Sequence, residues 1–283
     1  MGALIGYSNQ IDSATLTGGS WTTGLPLNSL KTRILGQLAR TTTSANASST
    51  FNIDFATPKN IQVVSLVNHN ISLDGQIRIR GSNDNWATTS YDSGVVDVWP
   101  AVYTFGTLEW EEDAWWSGKY TADEITGYTT NIVHIVPVLA ILRYWQIDIL
   151  DSTNIAGYLQ LGRVFMGQTW TPTRDVEVGL SLGWETSTTV QKALSGTKYF
   201  QHRTPYRVTK FSLSTIDLDE ALIKAFEIDR RMGIDGEVIW VQSTTDTVHA
   251  LRRRFLGTIR EMSAIEFPYS QYGSKSYTIE ESL

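Results

Sequence analysis

Residues 50–80 constrain the fold of this chain more than any other stretch. Residues 50–55 alternate, with Phe51, Ile53 and Phe55 on one side and Asn52 and Asp54 on the other, the period of two of a half-buried strand. Residues 61–67 are apolar on both sides, Ile61, Val63 and Val67 against Val64 and Leu66, which predicts a strand inside a sheet covered on both faces. Residues 76–80 alternate again, with Ile77 and Ile79 inward and Gln76, Arg78 and Arg80 outward. Thr57-Pro58-Lys59-Asn60 and Asp74-Gly75 separate these segments, and both are turn-forming combinations. No helical period competes, so the chain is committed to sheet here.

The remainder extends that pattern. Residues 34–40 fit a pairing segment, and residues 41–50 read as a polar loop. From about 94 to 130 the pattern loosens into an insertion that carries much of the aromatic content, and long loops on a rigid scaffold are where binding tends to sit. Residues 132–149 return to the sheet, with Trp145, Ile147 and Ile149 on one face. Composition shifts at Gly167-Gln168-Thr169-Trp170, which predicts a boundary between a first domain, 1–169, and a second, 170–283. In the second, residues 176–184 and 206–213 read as strands, the latter with a phase change that a bulge near Lys210 would explain.

A helix is predicted at about 217–232. Asp217 with Glu220 resembles a capping box; Leu218, Ala221, Leu222 and Ala225 recur at helical spacing; Arg230, Arg231 and Gly233 suit its end. Residues 236–241 form a buried strand, and 255–265 and 276–280 complete a small sheet. Residues 247–254 fit either helix or strand. The expected fold is therefore mainly β: an N-terminal sandwich and a C-terminal antiparallel sheet with one packed helix.

Several phrases carry a family resemblance. The segments 61–70, ending Val67-Asn68-His69-Asn70, and 77–82, Ile-Arg-Ile-Arg-Gly-Ser, resemble a galactose-binding-like jelly roll of the discoidin type. Residues 142–149 resemble its returning strand, and 157–167, ending Gly-Arg-Val-Phe-Met-Gly, its closing strand. This version is similar to tail-tip and baseplate proteins of tailed bacteriophages. The resemblance covers roughly the first 170 residues, and the order of elements beyond it loosely resembles modules that build phage tail rings. It implies a virion structural protein whose partners are other tail proteins and copies of itself.

Charge and composition restrict the chemistry. With 23 Lys and Arg against 29 Asp and Glu, the net charge is −6, opposite to the balance of most nucleic-acid-binding domains. There is no cysteine, which excludes disulfides, thiolate metal sites and cysteine nucleophiles. The first residues lack the basic and apolar regions of a signal peptide, and the most apolar run, 132–142, is too short to span a membrane. The four histidines, His69, His134, His202 and His249, lack metal-ligand spacing. Asp74 and Asp84 offer carboxylates for calcium without the dense acidic loop such a site uses. No cofactor is expected.

Two groups of residues stand out as candidate contacts. Ten Trp and twelve Tyr are present, and Trp99, Trp110, Trp115, Trp116 and Tyr120 cluster in the insertion beside Glu109, Glu111, Glu112 and Asp113. Paired carboxylates near aromatic rings serve glycoside hydrolysis, but adjacent carboxylates on one loop fix no spacing across a sugar. A binding surface is the better reading, because neighbouring exposed tryptophans usually have a partner. That partner is a neighbouring subunit or a host-surface glycan, with some of the five closing the end of the sandwich instead. The second group, Arg252, Arg253 and Arg254, is expected to meet acidic surface across a subunit contact. The expected function is non-enzymatic: part of a symmetric tail-tip assembly. A carbohydrate-binding module and an accessory domain of a polysaccharide-degrading enzyme are the alternatives.

Overall fold

The computed structural model describes residues 2–104, 106–112 and 114–283. The chain is mainly β, a jelly-roll sandwich followed by an antiparallel sheet with one packed helix. The first part contains β1 (Leu4–Tyr7), β2 (Thr15–Thr17), β3 (Ala39–Arg40), β4 (Phe51–Val67), β5 (Gln76–Ser82), β6 (Tyr91–Asp97), β7 (Asn131–Leu150), β8 (Gln160–Leu161) and β9 (Arg163–Trp170). The short helices α1 (Asn46–Ser49) and α2 (Ala122–Ile125) lie in its loops.

The long strands β4 and β7 pair with each other along most of their length. The start of β4 pairs with β2 and with Tyr144–Ile147 of β7, whereas its end pairs with β9 and with Asn131–Ile135. Between the two halves the register slips at Asp54/Lys59 and again at Ile61/Val63. Such bulges let a strand turn a corner and change sheets. The expected turn at residues 57–60 is therefore a kink within one strand, because both arms keep the same partner.

The slip also explains how the doubly apolar stretch is used. Ile61, Val64 and Leu66 face the sandwich core with Phe51, Ile53, Ile77, Ile79 and Trp145, while Val63 and Val67 face a second cluster with Leu4, Phe165, Ile239 and Leu256. β4 lies between β7 and β9, so both of its edges are hydrogen-bonded there, and the two clusters cover its faces.

The second part comprises β10 (Ser181–Glu185), β11 (Thr189–Lys192), β12 (Lys198–Gln201), β13 (Tyr206–Asp217), β14 (Glu237–Val241), β15 (Arg254–Met262), β16 (Glu266–Tyr269) and β17 (Tyr272–Glu281). Its main sheet runs β10-β13-β17-β15-β14, and β14 continues through β1 into β9 of the sandwich. The N-terminal strand is thus shared: Ile5 pairs with Trp240 on one side and Trp170 on the other. Gly6 fits between them because an added Cβ would lie 3.1 Å from Val63 and 3.2 Å from Ile239.

A buried ion cluster reinforces the seam. Arg163 of β9 is fully buried and meets Glu237 of β14 at 2.5 Å and Asp12 at 2.6 Å. Its guanidinium also donates to the Leu30 carbonyl, and Asn9 donates its amide to Glu237.

Several local expectations change in the C-terminal part. The helical run 218–232 consists of α3 (Leu218–Glu220), a π-helical stretch (Ala221–Phe226) and α4 (Glu227–Met232). Asp217 makes no capping hydrogen bond; Glu220 instead accepts from the Trp170 indole at 2.8 Å and the Thr173 amide at 3.0 Å. Ala221, Ala225 and Ile228 form its inner face, while Leu218 and Leu222 are exposed. Gly233, at φ 56°, ends the run.

β13 has no bulge near Lys210, since its pairing to β17 is regular from Val208 to Leu213. Arg207 and Thr209 occupy buried positions on the same side as Phe211 and Leu213. Polar residues on an inner face make the hydropathy appear to change phase. Residues 247–254 divide between helix and strand, α5 (Ala250–Arg253) leading into β15. The strand expected over 176–184 is confined to β10.

Candidate functional site

The aromatic insertion is pinned at its base and free at its tip. At the base, Trp99 is buried, donates its indole N–H to the Ile71 carbonyl at 3.2 Å and meets Tyr120 edge-on at 6.2 Å. Tyr120 is also buried and donates its hydroxyl to the Val248 carbonyl at 2.5 Å, tying the loop to the second part of the chain. Burial is the main reason its phenol is pushed above the ordinary range. Thr121 and Glu124 form a reciprocal capping box on α2, and Glu124 also accepts from Tyr103 and Arg252.

A pinch closes the loop above this base. The amides of Val102 and Tyr103 both donate to the Gly118 carbonyl, at 2.7 and 2.9 Å. Gly118 has φ 61°, and a Cβ there would lie 2.7 Å from the Tyr103 carbonyl oxygen, so glycine alone fits.

Beyond the pinch, Trp110, Trp115 and Trp116 form a cluster of edge-to-face rings, with centroids 4.6 Å apart for the first pair and 4.5 Å for the last. Such geometry matches the quadrupoles of the rings. Trp110 is 67% exposed and Trp116 83%. Glu109, Glu111 and Glu112 are exposed around them, and Asp113 lies outside the described residues. Trp115 and Trp116 also wall a cavity of about 200 Å³ with Tyr103, Leu108 and Gly118.

The five aromatic candidates thus separate. Three share the tip, whereas Trp99 and Tyr120 are buried in the core and line a separate cavity of about 170 Å³ with His134 and Arg254. Their hydrogen-bonding ends find internal carbonyls, so burying them satisfies both ring and polar group. The arginine triplet is likewise engaged within the chain. Arg252 pairs with Glu124 at 3.2 Å, Arg253 with Asp246 at 2.7 Å, and Arg254 donates to the carbonyls of Ser243 and Asp246. α5 and the residue that follows it aim the three side chains at different intramolecular acceptors, while the side chains of Arg252 and Arg253 stay partly exposed.

The remaining polar candidates have structural partners. His69 is buried against Trp99, and desolvation lowers its pKa to about 3. His134 is lowered by burial and shares a 2.6 Å hydrogen bond with the Tyr91 hydroxyl. Asp84 accepts from Ser82 and from both the amide and hydroxyl of Thr88, the Thr88 hydroxyl being the main reason its pKa falls to about 2. Asp74 pairs with Lys119 at 3.1 Å. Among the described residues, no group of three or more His, Asp or Glu is placed to hold a metal ion, and no helix is long and apolar enough to cross a membrane.

A second surface is absent from the sequence reading. Among the described residues β11 and β12 pair only with each other, joined by residues 193–197, and every residue of both strands is exposed. Tyr199 and Phe200 are 63% and 64% exposed, and Leu194 at the turn is fully exposed. Nearby, Trp184 of β10 is half-exposed with its ring 5.3 Å from Tyr128. On the helical run, Leu222, Ile223 and Phe226 face outward. The available signal was the phrase Thr-Val-Gln-Lys, a Ser-Gly turn, then Lys-Tyr-Phe-Gln, two β-prone runs around a five-residue connection.

No family model matches the chain, and no curated protein matches it. Solved structures with similar coordinates include carbohydrate-binding and lectin modules and, over 14–28% of their own chains, glycoside hydrolases. The lectin domain of Lectinolysin complexed with Lewis B antigen is 12% identical, with a TM-score of 0.39 over 57% of this chain and 96% of that one. A family 32 carbohydrate-binding module from C. perfringens NanJ, in complex with galactose, is 10% identical, with a TM-score of 0.38 over 58% and 99%. A Streptococcus pneumoniae fucose-binding module is 13% identical, with a TM-score of 0.36 over 57% and 98%. A likeness of this size assigns no ligand to this chain.

Proposed function

We propose that this chain is a non-catalytic structural protein that joins a symmetric multi-copy assembly through its β-rich surfaces. The setting implied by the resemblance of its first 170 residues is the virion, in the tail tip or baseplate of a tailed phage. The observation that carries the assembly reading is the isolated hairpin β11–β12. A two-stranded hairpin with both faces in water is marginal on its own, and this one places Val190, Leu194, Tyr199 and Phe200 in solvent. An apolar surface of that kind is stabilised by a partner that covers it. Light scattering on the purified chain tests the reading. A discrete oligomer is the expected result, and a monomer at every accessible concentration refutes it.

A glycan-binding role is the second reading, favoured by the exposed rings of Trp110 and Trp116, the latter lining the small cavity. Flat aromatic faces beside carboxylate acceptors can stack on a sugar and accept its hydroxyls. A glycan array on the same sample tests it. Hits lost in the Trp116→Ala variant would move the function to host-surface recognition, and a blank array would leave the tryptophans as an assembly contact.

A further inference from the structure

The geometry points to a specific pairing between copies of this chain: we infer that the β11–β12 hairpin of one copy docks on the tryptophan tip of the next. This rests on the assembly reading and names the partner of its hairpin.

The first argument comes from the register of the hairpin. Val190 lies opposite Phe200, and Lys192 lies opposite Lys198. Because side chains alternate along a strand, these four share one face, an apolar pair followed by a pair of ammonium groups. Like charges directly opposite on a ladder destabilise it. Neither lysine has an ion-pair partner among the described residues. Residues 186–204 carry Lys192, Lys198 and Arg203 and no carboxylate. A hairpin built this way is completed by a surface that supplies apolar contact and negative charge together.

The second argument is that the tip supplies both. Residues 104–117 carry Glu109, Glu111, Glu112 and Asp113 and no basic residue. The three glutamates form no ion pair with any described residue, and Trp110 and Trp116 stand exposed on the same segment. Aromatic faces beside carboxylates match a lysine pair beside Phe200, through ion pairing, cation–π contact and apolar burial. No hydrogen bond or ion pair joins the two segments within the chain among the described residues. The two surfaces differ, so the contact is heterologous and repeats head to tail, closing into a ring where the rotation allows.

The test is a charge swap read by sedimentation velocity on the full chain. The K192E/K198E variant and the E109K/E111K/E112K variant should each weaken self-association by at least about tenfold. Each should keep the wild-type circular dichroism spectrum, since all five side chains are exposed. Mixing the two variants should restore association, because each acidic hairpin then meets a basic tip and each basic hairpin an acidic one. Wild-type association should also weaken as salt rises. An oligomer indifferent to both reversals, or no recovery on mixing, overturns this pairing and leaves the assembly reading standing. A wild-type monomer overturns both.

Discussion

Arg163 holds the seam between the two parts of the chain, and removing it gives the most informative perturbation. Its side chain is fully buried and meets Glu237, itself nearly buried, through three contacts between 2.5 and 3.1 Å. Asp12, at 2.6 Å, is partly exposed and retains water as a partner. Replacing Arg163 with Met keeps much of the apolar volume but leaves the Glu237 carboxylate without its cation. Breaking a buried pair from one side costs about 3–5 kcal/mol. At about 2 °C per kcal/mol for a chain of this size, Tm should fall by roughly 6–10 °C.

The double variant Arg163→Met/Glu237→Met removes the stranded charge and should recover most of that loss, since a well-packed apolar replacement is often neutral. Urea denaturation followed by tryptophan fluorescence gives both values, with Trp170 and Trp240 reporting on the seam where they flank Ile5. A loss below about 1 kcal/mol in the single variant, the range of an exposed pair, would refute the argument. Equal losses in the single and double variants would also refute it, because the cost would then lie in packing.

Other outcomes follow from the same contacts. Trp99→Ala should cost about 3–5 kcal/mol as a large-to-small core change, whereas Trp116→Ala should stay within about 0.5 kcal/mol; parallel thermal melts compare them. His69 is held neutral by burial, its pKa lowered from 6.5 to about 3. The unfolded chain therefore binds an extra proton between those values, and stability should fall by about 1.4 kcal/mol per pH unit below about 6.5. The slope against pH of the unfolding free energy from urea curves between pH 6 and 4 should be shallower in His69→Gln by that amount. Gly118→Ala should open the pinch under the tryptophan tip, raising amide exchange at Val102 and Tyr103 while leaving exchange in β4 unchanged.

Much of the architecture was legible because it depends on local alternation. Phe51/Ile53/Phe55, Ile77/Ile79 and Trp145/Ile147/Ile149 each repeat every second residue, and all of them are core positions. The doubly apolar stretch at 61–67 marked the central strand because only a strand covered on both sides can hide that pattern. Gly233 ends the helix where its conformational freedom allows. The isolated hairpin was missed because its residues alternate around no core, and hydropathy reports burial.

The sequence by itself determined that this chain is a β protein, where its principal strands lie, and that an aromatic, acidic loop interrupts the sandwich. Only the tertiary structure decided which polar and aromatic groups remain available. Trp99 and Tyr120 are drawn inward because their N–H and O–H find carbonyls at Ile71 and Val248, residues distant in sequence. Arg252, Arg253 and Arg254 look like a basic surface in one dimension, yet their acceptors come from a loop of the sandwich and from the turn before α5. The sharing of β1 between two sheets rests on pairings with Gln168–Trp170 and Ile239–Val241. Which groups are buried or paired is set by long-range contacts, and those exist only once the chain has folded.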